Sequence, residues 1–249
     1  MTGFYDQLAD YYHLIFEDWD ESVALQGRQL SGVINSEWPK ARTLLDVSCG
    51  IGTQSIGLAS CGFSVTASDI SGGAISRAET EAARLGVEIA LSVCDMRKAH
   101  SHHGSGFDVV ISCDNSMPHL LTDQDLQTAF GEIRSCLSPG GGCLISVRDY
   151  ANEERGKGLL KPYGVRSTGD TRYLLFQVWD FEGDYYDLTF FIIEEKTSTG
   201  EIRTHALRSR YYAIPIDRLL ELMSSTGFEN VRRIDGDYYQ PLLIGSKPA

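Results

Sequence analysis

Residues Thr43–Gln54, TLLDVSCGIGTQ, constrain the fold more than any other part of the chain. Leu44, Leu45 and Val47 make a short apolar run suited to a central strand. Gly50 and Gly52 follow; lacking Cβ atoms, they let the backbone reverse tightly and let a ligand approach it closely. From Thr53 onward the pattern reads as the start of a helix. Asp46 stands just before the turn, where a phosphate-binding loop gains nothing from a negative charge. A ligand carrying cationic groups does gain from it.

Alternation of the same kind continues to Val147. Strands are predicted at Leu44–Ser48, Ser64–Ser68, Glu88–Ser92, Asp108–Ser112 and Cys143–Val147, and helices at about Thr53–Ser60, Ser71–Leu85 and Asp123–Leu137. Ser71 has the chemistry of an N-cap, and Ser138–Gly142 (SPGGG) ends a helix and leads into a strand. Right-handed crossovers at this spacing imply a mostly parallel sheet with helices on both faces. Ligands on such sheets bind beyond the carboxyl ends of the strands, near the switch in strand order.

The flanks read differently. Tyr5, Leu8, Tyr12 and Ile15/Phe16 recur at spacings of three and four, which predicts a helix with an aromatic-apolar face. A second helix is predicted from about Asp20 to Val33. Beyond Arg148, a Gly/Lys/Arg-rich stretch at Glu153–Arg166 precedes β-rich runs at Thr171–Phe181, Tyr186–Lys196 and Ile202–Tyr212. Thr197–Glu201 (TSTGE) is a good hairpin turn, so these runs predict an antiparallel meander. A helix at Pro215–Ser225 and short strands at Asn230–Ile234 and Pro241–Gly245 complete the prediction.

Composition narrows the function classes. The net charge is −12 and Lys and Arg do not cluster, which argues against a general nucleic-acid or membrane-surface binder and for a small-molecule substrate. No apolar run approaches the roughly 18–20 residues of a membrane span. MTGFYDQLADYYHL has no basic segment ahead of an apolar one, so a cytoplasmic protein is expected. The six cysteines form no C-x-x-C pair and read as buried, reduced thiols. His100–Gly104 (HSHHG) has no Cys or carboxylate partner at ligand spacing along the chain; it reads as a solvated loop, and no metal site is expected.

The chemistry gathers at predicted strand ends. Asp46 ends the first strand and Asp69 the second, seventeen residues beyond Gly52, a spacing that lets a carboxylate accept from both ribose hydroxyls. Asp95-Met96 follows the third: the carboxylate suits an exocyclic amine, and apolar surface suits the ring. Asp114–Leu120 (DNSMPHL) enters the same cleft after the fourth. A dinucleotide fingerprint would need glycine at Ser55 and has no use for Asp46. The pattern favours S-adenosylmethionine over NAD.

The core segment resembles the class I S-adenosylmethionine-dependent methyltransferases. DVSCGIGTQ, CDNSMPHL, SVRDY and YYQPLL resemble, more narrowly, the glycine/sarcosine N-methyltransferase family, and the resemblance runs over nearly the full length. It implies an α/β, Rossmann-like fold with a mostly parallel seven-stranded sheet, a helical lid at 1–40, a cofactor-binding core at 41–150, a β-rich insertion at 151–213 on the substrate side, and a closing helix and strands at 214–249. It implies that Ser48 and Gly50, in the turn with Asp46 and Gly52, line the methionine end of the cofactor. Asp69 then holds the ribose, and Asp95 and Met96 the adenine. Asn115 and His119 fall at the floor near the transferring methyl group. Arg148 corresponds to the arginine that holds a substrate carboxylate, with Tyr150 nearby. Tyr211 and Tyr212 correspond to tyrosines that close over the amine, and Tyr5 to one at the methyl-donor end. Where the family commonly carries an arginine for the cofactor carboxylate, this chain has Leu25; Arg28 is a shifted candidate.

Methyl transfer from a sulfonium is an in-line displacement that needs no triad and no metal. His119 is the one histidine of the constellation, a candidate base or proton exit; the alternative is that it only hydrogen-bonds and shapes the floor. Arg148 suits a bidentate carboxylate. A different small metabolite as acceptor, stacked on the tyrosines of the insertion, and a non-catalytic cofactor-binding protein are the competing readings.

Overall fold

The computed structural model describes residues 2–249. In chain order it contains α1 (Thr2–Leu8), α2 (Trp19–Glu37), β1 (Thr43–Asp46), α3 (Thr53–Ser60), β2 (Ser64–Asp69), α4 (Gly72–Leu85), β3 (Ala90–Val93), α5 (Ala99–His103), β4 (Phe107–Ser112), α6 (Asp123–Cys136) and β5 (Leu137–Ser146). There follow β6 (Leu159–Thr168), β7 (Thr171–Glu182), β8 (Tyr185–Lys196), β9 (Ile202–Tyr212), α7 (Ile216–Ser225), β10 (Glu229–Ile234) and β11 (Leu242–Ser246). Short 3-10 turns lie at Tyr12–Ile15, Met96–Lys98 and Met117–His119.

Seven strands form one sheet in the order β10-β11-β5-β4-β1-β2-β3. The four pairings among the five strands from β5 to β3 are parallel, and β11 joins β5 antiparallel. Strand order reverses at β1/β4, so the crevice for a ligand opens there. Alternation along the strands feeds two apolar layers. Val110 and Leu45 pack with Phe130 and Ile133 on one face, whereas Val109, Ile111 and Leu44 pack with Leu30, Ile34 and Leu58 on the other. Burial on both faces is why these strands carry near-continuous apolar runs. On the second face α2 and α3 touch: a Cβ on Gly27 would lie 2.5 Å from the Gly57 carbonyl group, so only glycine permits this approach.

The predicted alternation is present, with element ends shifted by up to six residues: β5 begins at Leu137 and takes in Ser138–Gly142, read above as the segment before the strand. Ser71 is the N-cap of α4, its Oγ accepting from Ala74 N at 3.0 Å. Three expectations change. The single N-terminal helix to Phe16 is instead α1 and a separate 3-10 turn, which lets Tyr11 and Tyr12 point to different partners, His205 and Asp114. The Gly/Lys/Arg-rich stretch at Glu153–Arg166, given no strand in the prediction, contributes most of β6, the edge of a four-stranded antiparallel sheet β6-β7-β8-β9. Pro162 disguised it: proline is tolerated on edge strands and beside bulges, and the register shifts between Pro162 and Gly164. His100–Gly104 is not a plain loop, since His100–His103 lie in α5.

The small sheet presents Leu175, Trp179, Tyr186 and Phe190 to Phe4 and Leu8 of α1, forming a third apolar cluster. α1 is also tied to the core, because the Asp6 carboxylate accepts from Gly73 N at 3.0 Å and from Ser71 Oγ at the start of α4. Those contacts hold the carboxyl of Asp6 below its ordinary range. The N-terminal segment thus spans the gap between the two sheets. Among the described residues no helix is long and apolar enough to cross a membrane.

Candidate active site

Two connected chambers open at the carboxyl ends of the parallel strands. The first, of about 750 Å³, runs from the glycine turn to the Cys94–Arg97 segment. The second, of about 520 Å³, lies between α1, the end of β5 and the small sheet. Tyr5, Tyr12 and Asp114 line both and form their common wall.

Main-chain groups shape the first chamber. Gly50 has φ +53°, and a Cβ placed there would meet no atom within 4 Å; the glycine faces open cleft. Its N–H donates to Asp69 Oδ2 at 2.9 Å, while Ser71 N donates to Oδ1 at 2.9 Å. These bonds fix the Asp69 carboxylate at the end of β2, with lone pairs left for two further donors. Burial nevertheless pushes its carboxyl up from the ordinary range. Asp95 is held by Arg97, whose Nη2 lies 2.6 Å from Oδ2, and Arg97 in turn reaches Asp125 at 2.8 Å. Although Asp95 is partly desolvated, these contacts keep its carboxyl low and charged. Met96 supplies apolar surface beside it. Ser48, Gly50, Asp69, Asp95, Met96 and His119 all line this chamber.

Asp46 and Gly52 do not. The Asp46 carboxylate is buried behind the turn, accepting from Ser55 Oγ at 2.7 Å and Ser48 N at 3.1 Å, and burial raises its pKa to about 7. Its role is to brace the turn, and the expected attraction for a cationic ligand is not direct contact. Gly52, at φ +94°, is needed for the backbone and has Ile56 Cδ1 where a side chain would be. Arg28 is exposed on α2 and lines neither chamber. Thr53 and Gln54 are polar lining residues at the glycine-turn end of this chamber; Thr53 Oγ1 accepts from Trp19 Nε1 at 3.0 Å.

Side chains from distant segments build the second chamber. Asp114 and Asn115 adopt left-handed backbone, φ 56° and 62°, a conformation Asp and Asn tolerate better than most residues. Asp114 N donates to Ser146 Oγ at 2.7 Å, and Asn115 N to Ser146 O at 3.0 Å, so the end of β5 holds the turn. Asp114 accepts from Tyr12 Oη at 2.8 Å and Tyr239 Oη at 2.6 Å. Asn115 lines this chamber and not the first; its Oδ1 accepts from Arg148 N at 3.0 Å. The Arg148 guanidinium lies 4.5 Å above the Trp179 ring. Its ion pair to Glu153 is long at 3.4 Å, and Lys161 holds Glu153 more closely at 2.8 Å.

Tyr5, His119 and Tyr211 form a cluster where the chambers meet. Tyr5 Oη is 2.7 Å from His119 Nε2 and 3.3 Å from Tyr211 Oη, and the His119 and Tyr211 rings lie 3.9 Å apart. Burial drives the His119 pKa down to about 3, so the ring is neutral at any working pH. Tyr211 faces the chamber. Tyr212 does not: its ring stacks on Tyr185 and its hydroxyl reaches Asp123 at 3.2 Å. Adjacent residues of a strand face opposite ways, so only one of the pair can close over a ligand. Tyr150 is fully buried behind Asn115, taking its Nδ2–H at 2.8 Å, and lines neither chamber. The structure adds Tyr12, Asp114, Tyr163, Gln177 and, through its bond to Asp114, Tyr239; Asp114 carried a sequence signal in the polar run after β4, Tyr12 in the aromatic face of the N-terminal segment and Tyr239 in YYQPLL, whereas Tyr163 and Gln177 carried none.

These residues fit S-adenosylmethionine. Asp69 offers two oxygens to a ribose, Asp95 and Met96 an acceptor and a lid for adenine, and the bare backbone at Gly50 room for the chain beyond. The comparisons with known proteins agree. Residues 44–141 match the family model described as methyltransferase domain. Bacillus subtilis YqeM, named as a methyltransferase without a stated acceptor, is 26% identical over 94% of this chain and 87% of its own. A glycine/sarcosine N-methyltransferase of Aphanothece halophytica is 28% identical over 57% of this chain, which spans about half (55%) of that enzyme. The S-adenosylmethionine-bound structure of CalS10, an amino pentose methyltransferase from Micromonospora echinaspora, has the same fold: the TM-score is 0.79 at 17% identity, over 96% of this chain and 95% of that one. The chain is a class I S-adenosylmethionine-dependent methyltransferase.

Proposed function

We propose that this methyltransferase methylates the amine nitrogen of a small zwitterionic acceptor, glycine or sarcosine being the simplest. One observation carries the reading: the second chamber holds a guanidinium, Arg148, and a carboxylate, Asp114, and little other charge. A carboxylate on the acceptor suits the planar fork of Arg148, whose competing partner Glu153 is already occupied by Lys161. An ammonium or amine suits Asp114 at the wall between the chambers. The sequence likeness to a glycine/sarcosine N-methyltransferase supports the same acceptor class.

The cofactor supplies an electrophilic methyl group. What this chain supplies is position, an effect that can lower a barrier by about 7–11 kcal/mol. Asp69 and Asp95 fix one end of the donor site, and Thr53 and Gln54 serve its carboxylate in place of an arginine. Tyr5 and Tyr211 direct hydroxyls to the point where the chambers join, and Arg148 anchors the acceptor so that its nitrogen faces that point. A histidine whose pKa is about 3 is too weak a base for an ammonium. His119 therefore holds Tyr5 in place, and the acceptor loses its proton to solvent before the site closes. On this reading residues 1–40 act as the lid over the core 41–150, and 151–213 supply the acceptor side.

The test is labelled methyl transfer to glycine, sarcosine and dimethylglycine; no turnover on any of them removes the acceptor assignment. A second reading, an amino sugar, draws on the fold shared with an amino pentose methyltransferase. Turnover of an amino sugar in the same assay, with none of the amino acids, selects it.

A further inference from the structure

A thiol and two imidazoles meet where β3 ends and α5 passes beside it. Cys94 and the adjacent pair His102 and His103 each present one ligand atom, and these atoms all lie within 4.8 Å of one another. Cys94 is buried, His103 half-buried and His102 exposed, so the cluster has a protein floor and a side open to water. Both rings are oriented: His102 Nε2 lies 3.0 Å from Ser92 Oγ, and His103 Nε2 lies 3.0 Å from Ser68 Oγ. The two imidazoles meet edge to face, with centroids 4.5 Å apart. Among the described residues none of the three side chains pairs with a carboxylate.

We propose that Cys94, His102 and His103 bind a zinc-class divalent ion. One thiolate and two imidazoles make a donor set that selects a borderline-soft ion over magnesium or calcium. Tetrahedral zinc bonds of about 2.0–2.3 Å give ligand–ligand edges of roughly 3.3–3.6 Å, which small rotations of these side chains reach. Three protein ligands leave the fourth position to water on the open side. The serine hydroxyls act as outer partners that hold each ring in orientation, as metal-bound histidines require. Binding forms a sulfur–metal bond and breaks the S–H bond, releasing one proton to solvent for each ion bound. The sequence hid this site because Cys94 and His102 are separated along the chain, whereas β3 and α5 are neighbours in space.

Cobalt titration of the full-length, chelator-stripped protein tests the proposal. The expected result is one equivalent bound, with a thiolate-to-cobalt charge-transfer band in the near ultraviolet that one equivalent of zinc abolishes. His102→Ala and His103→Ala should each weaken binding at least tenfold. Cys94→Ser should remove the band, while Cys61→Ser, which alters the exposed thiol, should leave it intact. His102 lines neither chamber, so calorimetry with S-adenosylmethionine should give the same affinity for His102→Ala and native protein and verify that the variant is folded. Absence of the band in the native protein, or equal cobalt affinity in all variants, overturns the site.

Discussion

The two chambers adjoin each other yet are built in opposite ways. In the cofactor chamber, the key carboxylate is set by main chain, with Gly50 N and Ser71 N each 2.9 Å from an Asp69 oxygen. Strand ends place everything within one short stretch of topology. In the acceptor chamber, α1, the turn after β4, the end of β5 and all four strands of the small sheet each add side chains, and tyrosine hydroxyls join them. Backbone-built sites are fixed by the fold; side-chain-built sites can change acceptor without changing it. On the proposed reading, substitutions in the second chamber change the acceptor, whereas the donor stays the same.

The largest effect that would break this contrast is expected at Asp69. Asp69→Ala removes the ribose acceptor and orphans two backbone donors, so S-adenosylmethionine binding should weaken by about 100-fold or more, a loss of some 3 kcal/mol. Calorimetry measures it, and an unchanged affinity would deny the chamber its donor role. Next comes Arg148→Ala, which should raise the KM for a carboxylate-bearing acceptor by roughly 30-fold to 300-fold. Cofactor affinity should stay within twofold. If both constants move together, the chambers are not independent.

Tyrosine pairs give a finer cut. Tyr211→Phe should lower kcat by about tenfold through loss of one hydroxyl in the cluster with Tyr5, whereas Tyr212→Phe should leave kcat within twofold. Equal effects would mean that strand alternation does not decide which tyrosine acts. The pH profile of kcat/KM should follow the acceptor amine and carry no inflection near the usual histidine range, since burial keeps His119 neutral. An inflection near pH 6.5 that His119→Gln removes would restore the histidine as base.

The remaining effect, on stability without cofactor, does not touch the comparison of the chambers directly. Burial raises the Asp46 carboxyl to about 7, above its unfolded value of about 3.9, so the folded chain binds more protons than the unfolded one between those values. Stability is then full below about pH 4 and falls as pH rises through 7, with a slope of at most about 1.4 kcal/mol per pH unit. Urea titrations at several pH values measure it. Asp46→Asn should flatten the dependence in that window; an unchanged slope would place its source elsewhere.

Local pattern was a good guide wherever a residue's role follows from its place on a strand. The apolar runs, Ser71 and the acids Asp69 and Asp95 at strand ends could be read in order along the chain. Pro162 concealed β6, because strand propensity does not distinguish an edge, where proline is tolerated, from a centre. Asp46 misled for a related reason: it sits at the end of its strand like Asp69, but Ser55 from α3 folds back and covers it. The resemblance assigned Tyr150 and Tyr212 to the ligand, and the structure turns both away.

By itself the sequence determined the parallel core, the glycine turn and the donor, because βαβ geometry forces strand ends, and whatever chemistry they carry, onto one edge. Tertiary structure alone decided which of these groups face open space. It also brought Asp114 and Arg148 into one chamber and Cys94 beside His102 and His103. Such pairings depend on how separate segments pack, and packing distance has no counterpart in spacing along the chain.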